Sequence, residues 1–133
     1  MFWADQFNED RVCLLALEGR LSRCDLANLS DRLRGLAAQG VHQVVLDLRA
    51  VDHWDYRGLP ELAEAVKSRR RARATTAFIT PSDYLRYIAG AAGVLEEMDF
   101  YDDLRLDEPE LRLTIVGSSA TSENEELRKA TGL

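Results

Sequence analysis

The densest group of reactive side chains in the sequence lies between Asp52 and Gly58. These seven residues carry two carboxylates, an imidazole, an indole, a phenol and a guanidinium. His53 stands between Asp52 and Asp55, and all three are residue types that bind metal ions. Because neighbours along one chain rarely converge on a single ion, a solvated loop histidine is the favoured interpretation. We therefore predict no metal and no cofactor at this segment.

The groups needed for catalysis are sparse. His42 and His53 are the only side chains that ordinarily titrate near neutral pH, and neither has a Ser or Cys partner at a recognisable spacing. The sequence has no glycine-rich phosphate loop, no dinucleotide fingerprint and no HExxH zinc motif. Asp47, at the end of an apolar run, is placed like the acid of a receiver domain, but a second acid and a late lysine are not evident. We predict that the protein is not an enzyme. A receiver-like domain that binds a small molecule or phosphate is the alternative.

The reactive segment is predicted to connect a strand to a helix. Val44–Leu48 is a short apolar run typical of a strand buried on both faces of a sheet. A helical pattern follows it, and backbone N–H groups at such junctions commonly meet ligands or partners. If Asp55 capped the helix, Pro60 would lack a needed donor and would clash with the preceding turn. We therefore expect Asp55–Gly58 to form a turn and the helix to begin near Pro60.

Three segments resemble the STAS family, which has the anti-sigma-factor antagonist fold. Asp55–Leu59 is similar to the family motif of Asp, two residues that are each Ser or Thr, Gly and Leu. Leu17–Leu21 is similar to the family's "leGrLd" strand end, and Phe100–Leu104 to its late "vydsl" segment. The resemblance covers roughly the first hundred residues in order. It implies an α/β fold with a central mixed sheet and helices packed mainly on one face.

The resemblance also implies a function. STAS-like domains bind a protein partner through the loop and helix around the motif, typically an anti-sigma kinase, which then releases its sigma factor. We expect Trp54, Asp55, Tyr56, Arg57 and Gly58 to contact such a partner, since Tyr and Arg are enriched in interface hot spots. The alternative for Trp54 and Tyr56 is that they cover the end of the sheet. A STAS subunit bound to a transporter ATPase is the alternative within this functional class.

The phosphorylation site of the family is missing from the motif. In the family, a kinase typically phosphorylates the Ser or Thr just before the motif glycine, and the added charge breaks the partner interface. In this chain Arg57 occupies that position and Tyr56 the position before it, and no Ser or Thr occurs from Asp31 through Lys67. We predict that the motif loop is not switched by Ser/Thr phosphorylation.

Turn and capping residues indicate the other elements. Strand-like runs at Phe2–Phe7 and Arg11–Leu17 predict a hairpin. Ser22 with Asp25 resembles a capping box at the start of a helix that Gly40 ends. Thr80, with Pro81 after it, predicts the start of a later helix.

Two groups of side chains are expected to be structural. Arg69, Arg70, Arg71 and Arg73 are interpreted as solvated cations at a helix C-terminus, with contact to an acidic partner as the alternative. Tyr84 and Tyr87 are interpreted as packing residues, with Tyr84 facing the sheet.

Composition limits the class of protein. The chain has 133 residues, of which 46% are hydrophobic and 30% charged, which suits one globular domain. Its net charge of -6 argues against nucleic-acid binding. Without a membrane-length apolar run or a secretory signal at Met1–Gln6, we expect a cytoplasmic protein with no membrane insertion. Cys13 and Cys24 have no metal or redox spacing and are interpreted as small buried hydrophobic residues.

We assign residues 1–109 to the STAS-like domain and residues 110–133 to a C-terminal extension. Leu111, Leu113 and Ile115 share one face of an extended chain, so burial favours docking over disorder. The expected acceptor is the edge of the N-terminal hairpin, in the same chain or in a neighbour, and the second arrangement would give a homodimer. We predict that Glu110–Val116 is ordered against a sheet edge and that Ser118–Ser122 is mobile.

Overall fold

The computed structural model describes residues 2–7, 12–80, 82–107 and 112–116. The strands are β1 (Phe2–Phe7), β2 (Val12–Leu21), β3 (Gln43–Trp54), β4 (Thr75–Ile79), β5 (Asp99–Tyr101), β6 (Asp103–Asp107) and β7 (Arg112–Val116). The α-helices are α1 (Arg23–Ala38), α2 (Leu59–Arg71) and α3 (Asp83–Ala91), and single 3-10 turns lie at Tyr56–Gly58 and Leu95–Glu97. No helix in these described ranges has the length and apolarity to cross a membrane.

Five strands form a central mixed sheet in the order β1-β2-β3-β4-β5. β1 runs antiparallel to β2, and the other neighbours are parallel and joined by α1, α2 and α3 in turn. The inner residues of all three helices share one buried cluster with alternate strand residues such as Leu15, Leu46 and Phe78, so the helices cover one face of the sheet. The predicted α/β architecture is confirmed.

The opposite face of the sheet carries a second buried cluster. It consists of Val12, Leu14, Val45, Ala77, Ile79 and Tyr101. These residues alternate along β2, β3 and β4 with residues of the helix-side cluster, as side chains on successive strand positions must. Burial of both faces explains why the consecutive residues Val44, Val45 and Leu46 are all apolar.

The N-terminal hairpin is confirmed, but both β2 and β3 are longer than predicted. β3 continues to Trp54, so Asp52 and His53 belong to a strand and not to a connecting loop. Asp47 consequently lies within β3 and not at its end, which removes the comparison with a receiver domain. Its carboxylate is paired with Arg49, at 2.8 Å between Oδ2 and Nη2.

The capping box of α1 is confirmed. Ser22 Oγ accepts from the Asp25 N–H at 3.1 Å, and Asp25 Oδ2 accepts from the Ser22 N–H at 2.9 Å. Helix α3, in contrast, is capped by Ser82, two residues later than predicted. Thr80 is buried and its N–H donates to the Tyr101 carbonyl at 2.9 Å. This bond keeps Thr80 with the sheet, and the helix can begin only after it.

All three α-helices end in the same way, with one residue in the left-handed region followed by a 6→1 hydrogen bond. The left-handed residues are Gly40 (φ 80°), Arg73 (φ 62°) and Gly93 (φ 76°). The closing bonds run from Val41 N to Leu36 O, from Ala74 N to Arg69 O and from Val94 N to Ala89 O, at 2.9, 2.8 and 3.1 Å. Helix α2 therefore uses an arginine where the other two use glycine.

Arg69 is fully buried, so the interpretation of this residue as a solvated cation is wrong. Its guanidinium donates to Thr76 Oγ1 and to the Thr75 and Leu33 carbonyls at 2.9, 2.9 and 3.2 Å. These acceptors are neutral, so burial is the dominant effect and lowers the pKa of Arg69 to about 10. Arg69 thus joins α1, α2 and β4, whereas Arg70, Arg71 and Arg73 are exposed as predicted.

The cysteines and the C-terminal strand also differ from expectation. Cys13 is buried as predicted, but Cys24 is exposed in the first turn of α1. β7 pairs antiparallel with β6, in a separate two-stranded sheet, and not with the edge of the N-terminal hairpin. A strand close in sequence can be reached by a short connection, which favours this pairing. Glu110, Leu111 and Ser118–Ser122 lie outside the described residues, and the boundary at residue 109 stays a prediction.

Candidate interaction site

The turn at the end of β3 is built around Asp55. Its N–H donates to the Leu21 carbonyl at 3.0 Å, which ties the turn to the end of β2. Its Oδ1 accepts from the Arg57 N–H at 2.9 Å, so Asp55 caps the 3-10 turn Tyr56–Gly58. α2 then begins at Leu59, with Pro60 in its first turn. The predicted turn before a helix near Pro60 is confirmed.

The Arg57 guanidinium folds back onto the same carboxylate. Nε lies 3.0 Å from Oδ1 and Nη2 lies 2.7 Å from Oδ2, which is a two-point contact. The side-chain and backbone hydrogen bonds from Arg57 lower the pKa of Asp55 to about 2, and the same pair raises the pKa of Arg57. Both groups therefore stay charged near neutral pH. The Arg57 side chain is nevertheless 60% exposed, so its outer edge is available to a partner.

Gly58 is buried, in contrast to the predicted partner contact. A Cβ on this residue would lie 2.9 Å from both Cβ and Cδ1 of Leu26 and 3.4 Å from the Arg23 Cα. Its φ of -93° is open to any residue, so space, and not backbone conformation, requires glycine here. Gly58 acts by letting the turn approach α1 closely.

Trp54 is also buried, with no exposed surface. Its Nε1–H donates to the Leu85 carbonyl at 3.0 Å, and its ring meets Phe78 and Phe100 edge-on at centroid distances of 6.3 and 6.2 Å. Trp54 therefore presents no surface to a partner in this structure, and its position agrees with the alternative that it covers the end of the sheet. Trp54 joins the end of β3 to α3.

Exposed aromatic side chains surround the turn. Tyr56 is 58% exposed, and Tyr84 and Tyr87 on α3 are 51% and 73% exposed. The packing role predicted for Tyr87 is therefore wrong, whereas Tyr84 packs one side of its ring on His53. His53 is half-buried at the end of β3, and its Nδ1 lies 2.9 Å from the Tyr84 hydroxyl. The helical period contained this information for Tyr87, which turns outward once Leu85 and Ile88 face the core, whereas Tyr84 is four residues before Ile88 and lies at the edge of the buried face.

The site offers groups for recognition and not a cluster of metal ligands. In the part of the chain that the structure describes, no three His, Cys, Asp or Glu side chains come together as a metal site would require. Of the predicted contact residues, the structure brings Asp55, Tyr56 and Arg57 together at the surface, with Asp55 half-buried.

Comparison with known proteins agrees with this architecture. The family model of the STAS domain matches residues 7–106. The unphosphorylated anti-sigma factor antagonist SpoIIAA superposes with a TM-score of 0.59 at 16% identity, covering 100% of this chain and 98% of that one. TM1081 of Thermotoga maritima gives a TM-score of 0.63 at 16% identity, covering 75% of this chain and 86% of its own. At these identities the likeness concerns the fold. Comparison of the sequence with curated proteins found no match.

Proposed function

The chain belongs to the STAS domain family, and we propose that it is a non-catalytic protein-interaction module of the anti-sigma-factor-antagonist kind. In this proposal the Asp55–Gly58 turn binds a regulatory protein, an anti-sigma factor kinase, whose engagement releases a sigma factor. The module acts in the bacterial cytoplasm, where transcription is regulated.

The observation that carries this proposal is the outward placement of Tyr56 and Arg57 on a fixed turn. Tyr56 presents a large ring with a polar tip, and Arg57 presents a planar cation, two residue types that often dominate binding energy. Asp55 holds Arg57 through backbone and side-chain hydrogen bonds. Because the turn is already ordered, a partner loses less entropy in binding it than in binding a mobile loop.

Tyr56 and Arg57 also support an interaction module that is not regulated by Ser/Thr phosphorylation. The hydroxyl that a Ser or Thr kinase would modify is absent at Tyr56 and Arg57. Ser22 is exposed and lies beside the turn, because its neighbours Leu21 and Arg23 both approach it. Its hydroxyl already serves as the N-cap of α1. We therefore infer that partner binding is not turned off by Ser/Thr phosphorylation.

Incubation with ATP and the anti-sigma kinases of the host, followed by mass spectrometry and a binding assay, tests this inference. The expected result is full partner binding after the incubation. A phosphoserine at Ser22 that abolishes binding in the wild-type protein, but not in a Ser22→Ala variant, would contradict it.

The class of partner is tested by affinity capture from extracts of the native host. The wild-type protein is compared with a Tyr56→Ala, Arg57→Ala double variant, and proteins lost from the variant are identified by mass spectrometry. We expect an anti-sigma factor kinase among them. Loss of a transporter ATPase would instead support a STAS subunit of a transporter complex, and identical captured sets would reject the turn as the binding surface.

A further inference from the structure

A stripe of exposed apolar side chains runs along α3 and the turn after it. We define this aromatic stripe as Tyr84, Tyr87 and Leu95, which are 51%, 73% and 46% exposed. Together with Tyr56 they are the large hydrophobic side chains that stand exposed in the region whose side chains are described, residues 12–80 and 82–103. Clustering of such residues in one place marks interaction sites, whereas scattered ones are ordinary.

The stripe is continuous along the helix surface. Tyr84 and Tyr87 are three residues apart and so are neighbours on α3, and Gly90 follows three residues later. Leu95 Cδ2 lies 3.9 Å from the position that a Cβ of Gly90 would occupy, so Leu95 extends the stripe past the end of the helix. The buried face of α3 is formed by Leu85, Ile88 and Ala89. The stripe therefore lies away from the core.

The stripe adjoins the Asp55–Gly58 turn and is held in place at that end. The Tyr84 hydroxyl lies 2.9 Å from His53 Nδ1, and His53 is two residues before Asp55. The two rings also face each other, with centroids 5.8 Å apart. A ring fixed in this way loses little rotamer freedom when a partner covers it.

Negative charge borders the stripe. Asp83 and Glu96 are exposed, and neither carboxylate takes part in the ion pairs that join described residues. The arginine on the same helix, Arg86, is already engaged with Asp102 at 2.8 Å and with the Thr80 carbonyl at 2.8 Å. Exposed carboxylates beside tyrosine faces complement Lys and Arg, which also bind such faces directly.

We propose that the aromatic stripe docks a basic amphipathic segment of the regulatory protein that the Asp55–Gly58 turn engages. The proposal rests on the proposed function for the existence of that protein and adds a second contact surface and its chemistry. Apolar residues of the segment cover Tyr87 and Leu95, and its Lys or Arg side chains meet Asp83 and Glu96. The same carboxylates repel nucleic-acid phosphates and anionic lipid headgroups.

Site-specific photo-crosslinking in the native host tests this proposal separately from the turn. Benzoylphenylalanine is placed at position 56, at position 87 and, as a control, at the exposed Glu18 on β2. We expect positions 56 and 87 to crosslink one and the same protein, and the peptide joined to position 87 to contain more Lys and Arg than Asp and Glu. Position 18 should not crosslink it.

The other outcomes separate the two surfaces. Crosslinking at position 56 alone, or an acidic peptide at position 87, contradicts the docking role proposed for the stripe and leaves the role proposed for the turn unaffected. Crosslinking to a basic segment at position 87 alone supports the docking role of the stripe and contradicts the binding role proposed for the turn. Equal crosslinking at all three positions, or none at any, rejects both.

The partner that crosslinking identifies is then purified without a crosslink, and its affinity for variants of the stripe tests whether apolar contact and charge attraction hold it there. Tyr87→Ala should weaken binding at least about tenfold. Asp83→Asn with Glu96→Gln should weaken it about three- to tenfold and reduce its salt dependence. Glu18→Gln is the matched control and should change neither. Because the altered side chains are exposed, all variants should keep the wild-type melting temperature. Unchanged affinity in the stripe variants contradicts the proposal.

Discussion

Gly58 and Leu26 pack so closely that no side chain fits between them. A Cβ on Gly58 would lie 2.9 Å from Leu26 Cβ, closer than real Cβ contacts come. Leu26 is fully buried in α1, and its Cβ is fixed to the backbone, so it cannot swing aside. The position of the turn relative to α1 therefore depends on the missing side chain at residue 58.

Gly58→Ala should lower the free energy of unfolding by about 1–3 kcal/mol, because the added methyl group overpacks this contact. Gly35→Ala is the matched control, since Gly35 lies within α1 and a Cβ there meets nothing within 4 Å. It should raise stability by about 0.5–1 kcal/mol through helix propensity. Urea unfolding of both variants measures the difference, and equal effects would show that Gly58 is not sterically required.

The charge of Asp55 should stabilise the fold in a pH-dependent way. Its pKa is about 2 in the folded protein, because of the Arg57 hydrogen bonds, and about 3.9 in an unfolded chain. Since the folded pKa is the lower one, the stabilisation is present above about pH 4 and is lost as pH falls towards 2. The advantage of the wild type over Asp55→Asn should therefore shrink in acid unfolding experiments.

Arg73 should be a site where glycine stabilises the protein. Its φ of 62° strains a residue with a Cβ, whereas Gly40 and Gly93 take the equivalent positions without strain. Arg73→Gly should raise the free energy of unfolding by about 0.5–1 kcal/mol after the entropy gained by the unfolded chain is subtracted. Gly93→Ala should lower it by about 1 kcal/mol. If Arg73→Gly is destabilising, the arginine side chain makes contacts that outweigh the strain.

The sheet and helices could be predicted because apolar residues repeat with the period of a strand or of a helix. The face of the sheet on which each side chain of β3 lies could not be predicted. The pairing of β2 with β3 shifts register twice, between Ala16 and Glu18 and between Gly19 and Arg20. These irregularities break the alternation, so that Val51 and Trp54 both join the helix-side core although they are three residues apart. A sequence does not reveal such bulges, but the two shifts cancel at Trp54, which lies on the side that unbroken alternation from Leu48 also gives. A surface position is predicted for Trp54 only because the sequence pattern places Asp52–Gly58 in a connection and not in β3.

The predictions for Arg69 and Gly58 rest on residue type and motif and do not take their positions in the packed fold into account. Arg69 stands in a run of cations, which favours a solvated interpretation, yet it follows Val66 by three residues on the buried stripe of α2. The motif predicts a contact role for Gly58, but the close approach of α1 to this residue depends on tertiary packing that the motif does not show. Tyr56 and Arg57 are exposed, as a contact surface requires. Their residue types and the turn that Pro60 indicates before the helix are the features of the sequence that favour this placement.

The most direct test of the Asp55–Gly58 turn as a partner-binding surface is the affinity of the purified partner for the Tyr56→Ala, Arg57→Ala variant, measured together with its melting temperature. The dissociation constant should rise at least about tenfold, because two exposed side chains of types that often dominate binding energy are removed. The melting temperature should stay nearly unchanged, since neither side chain is buried and exposed ion pairs contribute little. An unchanged dissociation constant together with a large loss of stability would contradict the proposal and assign both residues to packing.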